Sequence, residues 1–226
     1  MQAMPIPNPL KRPRCEQCLR PVSYCLCEHI TVVPSRTRVL ILQHPDEQRH
    51  ALNTGRLAVL GLKQAELLVG ERFAQLGSLL AAEARVFLLF PGEQAQTPQP
   101  LAPGPEDAAP LLIVLDGTWR KARKILHENP VLNSLPRLAL EAGQPSTYRI
   151  RQTGEFAAVS TIEAIVRTLT ALEPGQDFSP VLVPFDVLIE QQIQAMGADV
   201  YRHNYKTDET KRPESGAIPN SGLLER

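Results

Sequence analysis

The chain alternates short, nearly uncharged apolar runs with longer amphipathic stretches, the pattern of strands each followed by a helix. Residues 37–43, 65–69, 84–90, 111–115 and 137–140 each read as a strand. The run 111–115 carries no charge at all, as expected of a strand covered on both faces. A helix opens after Asn53. A second spans 73–84, with Phe73, Leu76, Leu79 and Leu80 along one face. A third spans 120–129 and is closed by Pro130, and a last amphipathic helix covers 185–196. Residues 91–110 hold six of the 21 prolines and read as a surface connector. The expected fold is α/β: a mostly parallel sheet with helices on both faces.

The polar residues that end these strands are the candidate chemistry. Leu111–Leu115 stops at Asp116-Gly117-Thr118-Trp119, which contains the only tryptophan. A strand, a tight polar turn and a helix start form the corner where open α/β sheets hold ligands. By spacing alone, Asp116 and Thr118 also suit a turn residue and an N-cap. The first strand runs into His44-Pro45-Asp46-Glu47 and then Arg49, with Arg56 in the helix that follows. Arg49 and Arg56 are candidate phosphate ligands, and His44 reads as a structural hydrogen-bonder. Pro91-Gly92, after the strand at 84–90, is a second candidate ligand loop.

Arg120, Lys121, Arg123 and Lys124 form the sharpest positive cluster, at the start of a helix where cations oppose the dipole. A demand for positive charge outside the helix would account for it; a solvated face is the plain alternative. Arg149 and Arg151 fall on one side of an extended segment beside Tyr148, which offers either a stacking surface for a base or core packing. Ser160-Thr161-Ile162-Glu163 fits a capping box, and the free N–H groups of such a helix start suit a carboxylate.

All four cysteines lie in one short stretch, Cys15-x-x-Cys18 and Cys25-x-Cys27. Two close thiol pairs are the raw material of a tetrahedral zinc site closed to water, so its role would be folding. Basic residues flank it: Lys11, Arg12, Arg14 and Arg20 against Glu16. Over the whole chain 24 Lys and Arg balance 24 Asp and Glu, so any attraction to nucleic acid has to be local. No apolar run approaches the ~20 residues of a membrane helix, and no signal peptide is expected, so the expected location is cytoplasmic. The expected organisation is a cysteine-rich zinc-binding segment at 1–34, a catalytic domain at 35–200 and a polar tail at 201–226, with a monomer favoured over an oligomer.

Asp116-x-Thr118-Trp119 resembles the signature of the DTW-domain family. So do His44-Pro45-Asp46-Glu47 with Arg49, Asn53-Thr54-x-Arg56-Leu57, Pro145-Ser146-x-Tyr148 with Arg151, and Ser160-Thr161-x-Glu163-Ala164. The resemblance runs in order over about residues 15–195. It implies a tRNA-uridine aminocarboxypropyltransferase that uses S-adenosylmethionine, in a SPOUT-like fold with a C-terminal trefoil knot. With that donor, Pro91, Gly92, Asp116, Thr118, Trp119, Ser160, Thr161 and Glu163 are the candidate donor ligands, with Asp116 or Glu163 as catalytic carboxylate. Arg49, Arg56, Arg120, Lys121, Tyr148, Arg149 and Arg151 would hold tRNA, and Cys15, Cys18, Cys25 and Cys27 zinc. Two other readings compete: a SPOUT-type RNA methyltransferase, and a zinc-knuckle RNA-binding protein without catalysis.

Overall fold

A computed structural model describes residues 13–102, 109–141, 159–197 and 200. Five strands form one sheet, and every pairing is parallel. They are β1 (Arg38–Gln43), β2 (Ala65–Val69), β3 (Val86–Leu89), β4 (Leu111–Asp116) and β5 (Arg137–Leu138), in the order β2-β1-β4-β3-β5. The helices are α1 (Thr54–Gly61), α2 (Leu76–Ala81), α3 (Trp119–Glu128), α4 (Thr161–Leu172) and α5 (Val183–Met196). All six residues of β4 are buried, the uncharged run 111–115 as expected and Asp116 with it.

Strand alternation divides the core in two. Val39, Ile41, Leu112 and Val114 face α1, α4 and α5, through Leu57, Ile165, Leu169, Phe185 and Leu188. Leu40, Leu42, Ile113 and Leu115 face α2 and α3, through Leu76, Leu80, Ala122 and Ile125. Helices therefore cover both faces, which a parallel sheet requires. Leu26, between Cys25 and Cys27, is fully buried in the first of these clusters.

Strand order creates a switch point. β1 leads by α1 to β2 on one side, and β4 leads by α3 to β5 on the other and across the opposite face. The crevice between the carboxyl ends of β1 and β4 is where such sheets take ligands. Gln43 and Asp116 are register partners at those two ends.

Two elements are shorter than their periodicity predicts. The helix expected at 73–84 is confined to Leu76–Ala81, because Phe73 serves as an anchor: it is buried, and its N–H donates to Asn129 Oδ1 at 2.9 Å. The strand expected at 137–140 pairs over two residues only. Tyr148, Arg149, Arg151 and the tail at 201–226 lie outside the described residues. Among the described residues no helix is long and apolar enough to cross a membrane.

Candidate active site

Asp116 is 6% exposed at the end of β4, on the sheet face covered by α1 and α4. Among the described residues, three elements close around its carboxylate. From β1, Gln43 Nε2 donates to Oδ2 at 2.7 Å. From the start of α4, the Thr161 hydroxyl donates to Oδ1. From the start of α1, Gly55 presses against Oδ2: a Cβ built there would lie 2.6 Å away. Asn53 caps α1, accepting from Arg56 N, and its Oδ1 also accepts from Gln43 Nε2 at 2.9 Å. Two helix starts therefore bracket one buried carboxylate.

The residues after Asp116 turn away from it. Gly117 lets Lys121 Cβ approach to 3.0 Å of where a side chain would begin, at a φ of +156°. Thr118 caps α3 through Lys121 N. Trp119 is 42% exposed, and its ring meets Phe90 edge-on at 5.8 Å between centroids. Phe90 directly precedes Pro91-Gly92, so that loop lies on the same edge, and the Pro91 carbonyl accepts from Arg137 Nη1 at 3.1 Å. Ser160 and Glu163 form the expected capping box. Glu163 Oε2 accepts from Ser160 N at 2.8 Å and from Ser160 Oγ at 2.7 Å.

Half of the positive cluster on α3 is neutralised inside the molecule. Lys121 Nζ lies 2.8 Å from Glu47 and 3.5 Å from Asp46. Lys124 Nζ lies 2.8 Å from Glu71, which also receives His44 Nε2 at 2.9 Å. The Glu47 hydrogen bond holds the Lys121 ammonium above its ordinary range, and the Lys124 hydrogen bond holds the Glu71 carboxyl below its own. His44 is buried, and Nδ1 accepts from Asp46 N, so the imidazole braces the loop as expected of a structural hydrogen-bonder. Arg49, Arg120 and Arg123 are exposed. Arg56 instead reaches the cysteine segment, where its Nε donates to Gln17 O at 2.8 Å.

The four sulfurs lie within 4.8 Å of one another, with Cys15–Cys27 at 3.5 Å and Cys18–Cys25 at 3.8 Å. A tetrahedron with ~2.3 Å metal–sulfur bonds has ~3.8 Å edges, so the donor set fits a metal ion, and none of the four cysteines is in a disulfide. Backbone N–H groups of Cys18 and Gln17 bring the Cys15 thiol down to about 6, while burial and the neighbouring sulfurs push Cys27 up to about 12. A cation among the sulfurs would favour the thiolate form of all four.

Sequence reasoning missed Gln43, which is 1% exposed and central to the site. The available signal was a polar residue two positions beyond Ile41, on the same buried face. A cavity of about 310 Å³, lined by Arg38, Lys63, Gln64, Glu66, Leu79 and Leu111 among others, opens at the amino ends of β1, β2 and β4. That is the edge opposite the switch point.

A sequence profile of the DTW domain matches residues 12–193. This chain belongs to the DTW-domain family. It is 32% identical over 197 residues to tRNA-uridine aminocarboxypropyltransferase 2 of Drosophila melanogaster, covering 82% of this chain and 77% of that protein. The mouse protein of the same name is 28% identical over 200 residues, covering 84% and 67%. tRNA-uridine aminocarboxypropyltransferase A of Arabidopsis thaliana is 26% identical over 206 residues, covering 76% and 78%. No solved structure gives a significant match.

Gly55→Ala is expected to displace Asp116 Oδ2 from Gln43. Loosening a buried charged hydrogen bond costs about 1–3 kcal/mol, and alanine's helix preference returns at most ~1 kcal/mol. Urea unfolding should show a net loss. Glu71→Gln tests the ion pairs beside the site. A carboxyl held low stabilises the fold above its ordinary titration range, and that contribution is lost as pH falls through the folded value. The variant should therefore be less stable than the parent at neutral pH and equal to it in acid, as read from urea midpoints at both pH values.

Proposed function

We propose that this chain transfers the 3-amino-3-carboxypropyl group from S-adenosylmethionine to N3 of a tRNA uridine, in the variable loop, releasing methylthioadenosine. The observation that carries this is the Asp-x-Thr-Trp corner at the sheet's switch point, closed by the starts of α1 and α4, in a chain of this family. The donor supplies a sulfonium, already a good leaving group. The bond from N3 to the terminal carbon of the arm forms as the bond from that carbon to sulfur breaks. The N3 proton passes to solvent water, and sulfur departs with the electron pair of the broken bond as the neutral thioether of methylthioadenosine.

The protein's task is to present the long arm and not the methyl. Positioning of this kind supplies up to ~7–11 kcal/mol in favourable cases. Asp116 is suited to anchor the arm. Donors from Gln43 and Thr161 hold both of its oxygens in place. The starts of α1 and α4 offer N–H groups to the arm's carboxylate. Trp119 and the Pro91-Gly92 loop wall the site. Glu163, the other candidate acceptor, is 2% exposed and gives Oε2 to the capping box, so it shapes the start of α4. Arg49, Arg120 and Arg123 hold the tRNA backbone, with Tyr148, Arg149 and Arg151 assigned to the same task. The zinc at Cys15, Cys18, Cys25 and Cys27 is structural. The SPOUT relationship and the trefoil knot belong to the same proposal; they rest on the family resemblance and agree with a parallel sheet covered on both faces.

Two measurements test the reading. Unmodified tRNA incubated with the enzyme should gain label from the donor's carboxyl carbon and none from its methyl, with Asp116→Ala losing about 100-fold or more of the rate. Label arriving from the methyl would make the chain a methyltransferase, and full turnover by Asp116→Ala would remove that residue from the mechanism. Elemental analysis should find about one zinc per chain, lost together with thermal stability on treatment with a strong chelator.

A further inference from the structure

Gln43 carries an atom that neither the fold nor the proposed transfer uses. The amide is oriented by two acceptors: Nε2 donates to Asn53 Oδ1 and to Asp116 Oδ2. Both N–H groups are thereby spent, so the nitrogen and oxygen cannot be exchanged by a flip. The remaining carbonyl oxygen, Oε1, is buried and accepts from no group among the described residues. Buried acceptors are rarely left so, and one at the sheet's switch point calls for a donor from outside.

The surroundings say what kind of donor. Asp116 sits beside the amide with a negative charge, which attracts a cation. The starts of α1 and α4 meet at the same carboxylate and attract an anion. A group carrying an ammonium and a carboxylate on one carbon satisfies both, and the end of the transferred arm is such a group. We propose that Gln43 Oε1 accepts a hydrogen bond from the α-ammonium of the donor's aminocarboxypropyl arm, beside Asp116, so that Gln43 selects the amino-acid end of the donor. This rests on the donor reading given above. A neutral amide suits the position, because it adds an acceptor without a second negative charge 2.7 Å from Asp116.

Donor binding by the full-length, metal-replete protein tests it. Calorimetric titrations would compare S-adenosylmethionine with an analogue whose α-amino group is replaced by hydrogen. The parent should prefer the natural donor by about tenfold or more. Gln43→Met, of similar volume, should lose about tenfold for the natural donor and change by less than about twofold for the analogue. Gln43→Glu is the second variant, useful also if the first does not fold. It keeps the acceptor and sets two carboxyls side by side, so donor affinity should acquire a pH dependence in the acidic range that the parent lacks. Equal losses for both ligands in Gln43→Met, or a Gln43→Glu profile parallel to the parent's, would overturn the proposal and leave Gln43 a brace for Asp116. A parent that discriminates poorly between the two ligands would overturn it as well. A parent that binds neither would remove the proposed function first, and this inference with it.

Discussion

The site is organised by the cost of taking one carboxylate out of water. Asp116 ends a strand that carries no other polar side chain, so nothing on β4 itself can solvate it. An ionised group in that position is tolerated only when donors and dipoles are brought to it. Three elements do so, and each brings a residue whose type follows from the demand. Glutamine supplies N–H groups without charge. Threonine supplies a hydroxyl at a helix start. Glycine lets a helix end come within contact distance. The parallel register of β1 and β4 makes this possible, because it sets Gln43 beside Asp116 on the same face.

The charges on the outer rim follow a different logic. Asp46, Glu47 and Glu71 come from loops after β1 and β2, and they meet lysines from α3. These pairs are partly exposed, so each contributes little to stability. Their effect is on shape: they tie two loops of one edge to α3. Two α3 arginines, Arg120 and Arg123, are left facing solvent, so a chain with no net charge presents local positive charge at the rim.

The fold was legible because buried parallel strands must be apolar. β1, β3 and β4 stand out as runs, and the capping box at Ser160 announces α4 with a local rule that the structure follows. The short α2 and the two-residue β5 were less legible, because tertiary contacts of Phe73 and the sheet edge set their limits. Within the site, Asp116 and Thr161 could be named from their motifs. Gln43 could not, since its role depends on a neighbour 73 residues away in sequence. The internal use of Lys121 and Arg56 was hidden for the same reason: their partners, Glu47 and the Gln17 carbonyl, lie on other segments.

Leu26 stands between two of the four thiols, yet its side chain is fully buried in the cluster that also holds α1, α4 and α5. Arg20 adds a second tie, donating to the Ala51 carbonyl and to Gln191 of α5. The cysteine loop is thus a rivet through the larger body. Cutting it away would open a hole in the shared interior, so the amino-terminal segment and the transferase core share one unfolding event.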